Sequence, residues 1–403
     1  MQRALLVLST LFALYACTPT LPYKPSEEKP VAPASEAVIP APAPAPAPET
    51  VTPKIPEAIV VEPIVVDKAR AIPHIALLLP LRSPIFGSSA NSVERGFMAA
   101  AKLDGQVLPI QAYDNFDENN GVVSEYRKAV SNGALAVVGP LTRNGVIALA
   151  ESRNTPVPTL SLNVVDTPPA QNTYYFGMAI ETEARQIAHL ARQRNLNQAI
   201  IITTREQLSK RLQAAFEDEW NASGGTILRE IEFGDNTSIF ADITEIPGTM
   251  IFIATDAKNA RLVRPYLSNK LPDYATSRVF VGNSNTLLNY DLKGIRFVDM
   301  PWLLQPDHAA VMIYPRASPP LSIDQERLYA LGIDAYRLIR LMLFNKLQVS
   351  LPLDGVSGQI RLNGHIFQRT ASPAVFVQGQ AQLADAPVLP AVQMFPEQPI
   401  SNP

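Results

Sequence analysis

The run Ile75-Ala76-Leu77-Leu78-Leu79-Pro80-Leu81 is apolar at every position and lacks the polar alternation of a half-solvated strand. A strand of this kind is buried on both faces, which calls for a parallel sheet with helices packed on each side. The residues after it keep to that requirement. A loop holding Ser83, Pro84, Gly87 and Ser88 leads into a helical stretch from Asn91 to Leu103, with Val93, Phe97 and Ala100 on one face. A strand over Val107 to Tyr113, a helix over Gly121 to Ser131 and a strand over Ala134 to Val138 follow. Thr142 is placed to cap the next helix, to Glu151, and Pro158-Thr159-Leu160-Ser161 closes a further strand.

The same grammar restarts in the second half. A helix over Glu181 to Arg194 precedes the strand Ala199 to Thr203, then a helix from Gln207 to Asn221 and a strand from Thr226 to Phe233. Met250 to Ala254 is another buried strand, Asp256 caps a helix to Ser268, and Arg278 to Gly282 is expected as a third strand. Two successive blocks of roughly a hundred residues each predict an α/β protein of two doubly wound, parallel-sheet lobes with the chain crossing between them several times. A long helix from Asp324 to Asn345 buries Leu328, Leu331, Ala335, Leu338 and Met342, and its Arg327, Arg337 and Arg340 read as a solvated edge. Gly358 to Leu362 and Ala374 to Val377 read as two antiparallel strands around a loop with Asn363-Gly364. The first lobe is expected at 73–175 plus 305–348, the second at 178–300 plus 350–383, with a disordered proline-rich tail at 384–403.

The start of the chain decides its compartment. Arg3, the apolar stretch Ala4 to Leu14 and Ala16 read as an export signal over residues 1–16, too short for a membrane span, which needs about twenty residues. Leu14-Tyr15-Ala16-Cys17 resembles the bacterial lipobox, which implies an acylated Cys17 as the first mature residue; Thr18 after it, by the same resemblance, favours the outer membrane. Residues 17–72 are then a lipidated cysteine and a proline-rich spacer that includes the alternating Pro-Ala run at 40–48. Proline fixes its own φ and lacks an N–H, so this stretch forms neither a helix nor a central strand. At about 3.1 Å per residue, some fifty-five residues span up to roughly 170 Å. A protein that crosses a cell-wall layer needs that reach; a passive spacer that lifts a domain off the lipid is the alternative.

Composition narrows the chemistry. With 34 Lys+Arg against 37 Asp+Glu, the chain has no broad basic surface for nucleic acid. One cysteine excludes a disulfide framework and multi-cysteine metal sites, and His74, His189, His308 and His365 have no ligand spacing. The acidic run from Asp114 to Gly121 does not keep the calcium-loop register and reads as a strand-to-helix loop. There is no Gly-x-Ser-x-Gly elbow, P-loop or dinucleotide fingerprint, so neither an enzyme nor a cofactor is expected.

Open α/β sheets bind ligands at the carboxyl ends of their strands. That rule selects Ser83, Thr142, Ser161 and Asn163 in the first lobe and Thr204, Asp256 and Asn283 in the second as candidate cleft residues. Helix capping explains Ser, Thr and Asp at such places equally well. Trp302, in the apolar segment Met300 to Leu304 beside the second crossover, is either a partner anchor or a core residue of the hinge.

The whole arrangement, carried by residues 75–81, 137–140 and 353–358, resembles the type I periplasmic binding fold. Within it, residues 277–283 (Ser-Arg-Val-Phe-Val-Gly-Asn), 294–302 (Gly-Ile-Arg-Phe-Val-Asp-Met-Pro-Trp) and 329–337 (Tyr-Ala-Leu-Gly-Ile-Asp-Ala-Tyr-Arg) make the chain similar to the C-terminal domain of the penicillin-binding protein activator LpoA family. The resemblance implies a non-catalytic outer-membrane lipoprotein that contacts a class A penicillin-binding protein and raises its polymerising and cross-linking activity. Longer members carry a helical-repeat domain where this chain has the spacer. The alternative is a lipid-anchored receptor for an amino acid or similar small polar ligand. Against it, Ser161 is followed by Leu162-Asn163-Val164 and Phe176 by Gly177, unlike amino-acid receptors of the fold.

Overall fold

The computed structural model describes residues 71–114, 121–234, 236–284 and 286–384. The signal segment, Cys17, nearly all of the spacer, most of the acidic run after Asp114 and the tail beyond Ala384 lie outside them.

The first sheet begins with β1 (His74–Leu79), β2 (Ile110–Asp114), β3 (Ala134–Val138), β4 (Thr159–Ser161) and β5 (Thr173–Phe176). Between them run α1 (Gly87–Leu103), α2 (Gly121–Ser131) and α3 (Arg143–Glu151). All six residues of β1 are buried. Ile75, Leu77 and Leu79 enter the core packed under α1, while Ala76 and Leu78 enter a second cluster with Val122, Tyr126 and Ala129 of α2. The unbroken apolar run is thus a strand with a core on each face.

The second sheet holds β6 (Gln198–Thr203), β7 (Thr226–Glu232), β8 (Thr249–Ile253), β9 (Asp273–Ala275) and β10 (Arg296–Asp299), with α4 (Ile180–Gln193), α5 (Gln207–Ala222) and α6 (Ala257–Val263). Ile200 and Ile202 face one core and Ala199 and Ile201 the other, as in β1. The parallel strands run in the order β2-β1-β3-β4-β5 in one sheet and β7-β6-β8-β9-β10 in the other, the same winding twice.

Three short helices, α7 (Thr286–Tyr290), α8 (Pro301–Leu304) and α9 (Ala309–Met312), precede the long α10 (Ile323–Leu343). Ser322 opens α10 with a capping box closed by Gln325. α10 lies against α1 at two glycines: a Cβ on Gly96 would sit 1.9 Å from the Tyr329 carbonyl oxygen, and one on Gly332 2.1 Å from that of Val93.

After α10 come β11 (Leu353–Asp354), β12 (Gln359–Asn363) and β13 (Ile366–Thr370), then β14 (Ser372–Val377) and β15 (Gln380–Leu383). Here the structure departs from the sequence reading. The hairpin about Asn363-Gly364 joins β12 to β13, and β13 lies parallel to β5, so residues 353–370 belong to the first sheet. Only β14 and β15 join the second, where β14 runs antiparallel to β10. The apolar pattern of residues 366–377 does not break at the lobe boundary, so periodicity alone could not divide it. Asp334 of α10 fixes the loop before β12: fully buried, it accepts the N–H groups of Val356 and Ser357 and the Ser357 hydroxyl.

The segment expected as a strand over Arg278 to Gly282 is a 3-10 turn at Ser277–Val279 followed by loop; the strand is β9, just before it. Val279 and Phe280 are buried without strand pairing, and the carbonyls of Ser277 and Phe280 accept from Arg327. No helix among the described residues is long and apolar enough to cross a membrane.

Candidate functional site: the inter-lobe cleft

The chain passes between lobes after β5, after β10 and between β13 and β14, and the carboxyl ends of the parallel strands of both sheets lead toward these crossings. A cavity of about 670 Å³ opens there, walled by Ser322, Asp324, Arg327 and Arg369 from the first lobe and by Glu183, Asp256, Lys258, Arg261 and Arg278 from the second. A neighbouring cavity of about 460 Å³ lies on the first-lobe side and includes Ser89, Thr142, Arg143 and Asn163. Met178 and Leu328 line both, so the two adjoin across these side chains.

Of the residues selected from sequence, Thr142 and Asn163 come together in the smaller cavity and Asp256 lies in the larger. Ser83, Ser161, Thr204 and Asn283 line neither. Thr142 accepts the Gly145 N–H and Asp256 the Asn259 N–H, so both are helix caps. Asn163 donates to the Leu141 carbonyl and accepts the Val164 N–H. Ser83 accepts the N–H groups of Ile85 and Phe86 ahead of α1. Thr204 accepts the Glu206 N–H, and Asn283 pairs through both ends of its amide with the backbone of Ala381. The Ser161 hydroxyl is buried with no hydrogen-bond partner among the described residues. Backbone capping therefore occupies most of the polar groups that the strand-end rule selects.

Trp302 is fully buried. Its indole N–H donates to Glu326 at 2.6 Å, the Arg316 guanidinium lies 3.8 Å from the ring centroid, and Tyr329 packs beside it. A side chain so enclosed packs the hinge and cannot anchor a partner. His308 caps α9 through the Ala310 N–H, and His365, in the hairpin turn, donates from Nδ1 to the Thr173 carbonyl. Among the described residues no cluster of His, Cys, Asp and Glu could hold a metal.

What the sequence reading missed is the floor of the cleft. Arg327, read as solvated edge, is buried and bridges the lobes: it donates to Asp299 at the end of β10 at 2.7 Å, to Asp324 at 2.6 Å and to the Ser277 and Phe280 carbonyls. A second buried pair joins Arg369 of β13 to Glu183 of α4 at 3.1 Å. The other Glu183 oxygen accepts the Ser277 N–H, and Arg369 donates also to the Ser357 carbonyl. Burial pushes the Asp299 carboxyl above its ordinary value, and the Arg327 guanidinium opposes that rise. The only hint in the sequence was the Asp324-x-x-Arg327 spacing, which places the carboxylate one turn before the guanidinium.

Removing one member of a buried ion pair costs about 3–5 kcal/mol, because the other charge is stranded. Two such pairs across one cleft hold the lobes in the relative orientation seen here. On the second-lobe wall the exposed Lys258, with Arg261 and Arg278, leaves a cationic rim above this floor.

The model of the family described as "LppC putative lipoprotein" matches residues 54–248 and 241–372. The chain belongs to the LppC lipoprotein family. Curated relatives include the penicillin-binding protein activator LpoA of Vibrio antiquarius, 26% identical over 338 residues that cover 74% of this chain and 56% of that protein. The LpoA of Photobacterium profundum is 24% identical over 75% of this chain and 56% of its own length. This LppC-family chain thus spans about half the length of the curated relatives it matches. Among solved structures, a "putative branched-chain amino acid ABC transporter" from Chromobacterium violaceum shares 35% identity and a TM-score of 0.67, over 76% of this chain and all of that one. The LpoA C-domain from Haemophilus influenzae, titled a regulator of PBP1A, gives 23% identity and a TM-score of 0.65, over 77% and 99%. The two lobes are the type I periplasmic-binding-protein-like fold that the sequence led us to expect.

Proposed function

We propose that this protein is a non-catalytic activator of a class A penicillin-binding protein, anchored to the periplasmic face of the outer membrane by acylated Cys17 and extended from it by the spacer of residues 17–72. The observation that carries the reading is the family match over nearly the whole folded region, together with relatives named penicillin-binding protein activators. The cleft supports it. Capping occupies most of the hydroxyls and amides at the strand ends, and two buried ion pairs brace the lobes, which suits a docking body more than a receptor that opens and closes.

The spacer supplies the reach that a synthase on the far side of the cell-wall layer requires. Shortened to about twenty residues, it would span no more than roughly 60 Å. Cells carrying that variant should lose synthase stimulation while the purified protein keeps it; unchanged stimulation in the cells contradicts the reaching role.

One observation favours a second reading, a receptor for a small anionic or zwitterionic ligand. Arg369 is buried in the cleft with its Nε unpartnered among the described residues, below the cationic rim. A ligand at about 100 times its dissociation constant would stabilise the fold by about 2.7 kcal/mol. A thermal-shift screen of amino acids separates the two readings: no response to any of them removes the receptor, and a saturable response that Arg369→Lys abolishes establishes it.

A further inference from the structure

A separate cavity of about 190 Å³ lies in the second lobe between the C-terminal half of α4 and the sheet, lined by Ile187, Leu190, Arg194, Tyr274, Arg296 and Phe297 among others. Its geometry follows from strand register. Tyr274 of β9 and Arg296 of β10 are direct partners in a parallel pair, so their side chains leave the sheet on the same face, the face that α4 covers. Tyr274 is 2% exposed, and its hydroxyl has no hydrogen-bond partner among the described residues. Nη1 of Arg296 is likewise buried and unpartnered. Burial pushes the Tyr274 phenol above its ordinary value while Arg194 and Arg296 both pull it down, which puts two guanidinium groups near one phenol.

Buried polar atoms in folded proteins are nearly always paired, because an unpaired one has given up its water without replacement. Two unpaired donors converging in one cavity therefore specify what is to enter it: a group with acceptor oxygens and negative charge, matched to a guanidinium edge and a phenolic O–H. The remaining lining joins apolar Ile187, Leu190, Phe297 and Pro373 to polar Gln193 and the Arg194 guanidinium. A cavity of about 150 Å³ accommodates benzene, so this one has room for a compact carboxylate with a branched or aromatic body.

We propose that this cavity is a binding site for a small apolar carboxylate, with Arg296 and Tyr274 as the anion-binding groups. The site is distinct from the inter-lobe cleft, and it stands whether or not the protein stimulates a synthase.

The test is calorimetric titration of the full chain with benzoate and with 3-methylbutanoate, set against benzamide and 3-methylbutanamide, which match them in shape without the charge. Saturable binding of an acid and none of its amide is expected. Tyr274→Phe should weaken the acid by about tenfold, the effect of one lost hydrogen bond to an anion, and Arg296→Gln by more. Tyr274→Phe also guards against misfolding, because the hydroxyl it removes bonds no described protein group; its thermal midpoint without ligand should equal or exceed that of the parent. Absence of saturable binding by either acid overturns the proposal and makes this a water-filled void. Equal binding of acids and amides, or affinity unchanged in both variants, overturns it as well.

Discussion

The Arg327 guanidinium, on the long helix of the first lobe, donates at 2.7 Å to the buried Asp299 carboxylate at the last residue of β10 in the second. Asp299 immediately precedes the second crossover, so this one pair ties the hinge to both lobes.

Asp299→Ala should therefore strand Arg327 in the interior and cost about 3–5 kcal/mol. The paired replacement Asp299→Leu with Arg327→Met should recover much of that loss, since an apolar pair strands no charge. Chemical denaturation of the single and double variants measures both. A double variant no better than the single one contradicts a charge-stranding origin.

Asp273 gives the stability a pH dependence. It is 2% exposed beside Arg264, and burial raises its pKa from 3.8 to about 7 despite that guanidinium. A carboxyl whose folded value lies above its unfolded value holds its proton longer in the native state, so stability falls as pH rises from about 4 to about 7. Asp273→Asn should flatten that part of the profile and raise the thermal midpoint at pH 8. A profile that Asp273→Asn leaves unchanged assigns the dependence to another group.

Gly96 and Gly332 let α1 and α10 approach until a Cβ on either would overlap backbone of the other helix. Backbone cannot rotate aside as a side chain can, so Gly96→Ala and Gly332→Ala should each cost about 3 kcal/mol, at the upper end of overpacking, despite alanine's better helix propensity. Thermal unfolding checks this, and a stabilised variant excludes the close crossing.

Thr142 and Asp256 divide structural from ligand roles. Thr142→Ala and Asp256→Ala each remove one helix cap and should cost about 1 kcal/mol. If capping is their whole function, stimulation of the synthase by either variant stays at the parental level once both are assayed well below their unfolding temperatures.

The double winding was legible because β1 and β6 are apolar on both faces and because Thr142 and Asp256 stand where helix caps must. The partition of the last strands was not. Residues 366–377 continue one β pattern while the chain changes sheets at Ala371, and only pairing partners reveal that. The strand-end rule found loops that do lead toward the cleft, yet it named capping groups and passed over Glu183, Asp299, Arg327 and Arg369. Along the chain Glu183 lies 116 residues before Asp299, Asp299 28 before Arg327 and Arg327 42 before Arg369, and none belongs to a chemical motif. An arginine on an amphipathic helix looks solvated until the partner that buries it is known. Tyr274 and Arg296 escaped notice for a similar reason, since adjacency across a strand pair leaves no spacing in the chain.

The most direct measurement is the rate of glycan-strand polymerisation by the organism's class A penicillin-binding protein, with and without the purified protein. Acceleration that saturates with added protein is the result expected of an activator. An unchanged rate, together with no detectable binding to the synthase, contradicts the activator reading and turns attention to the cleft around Arg369.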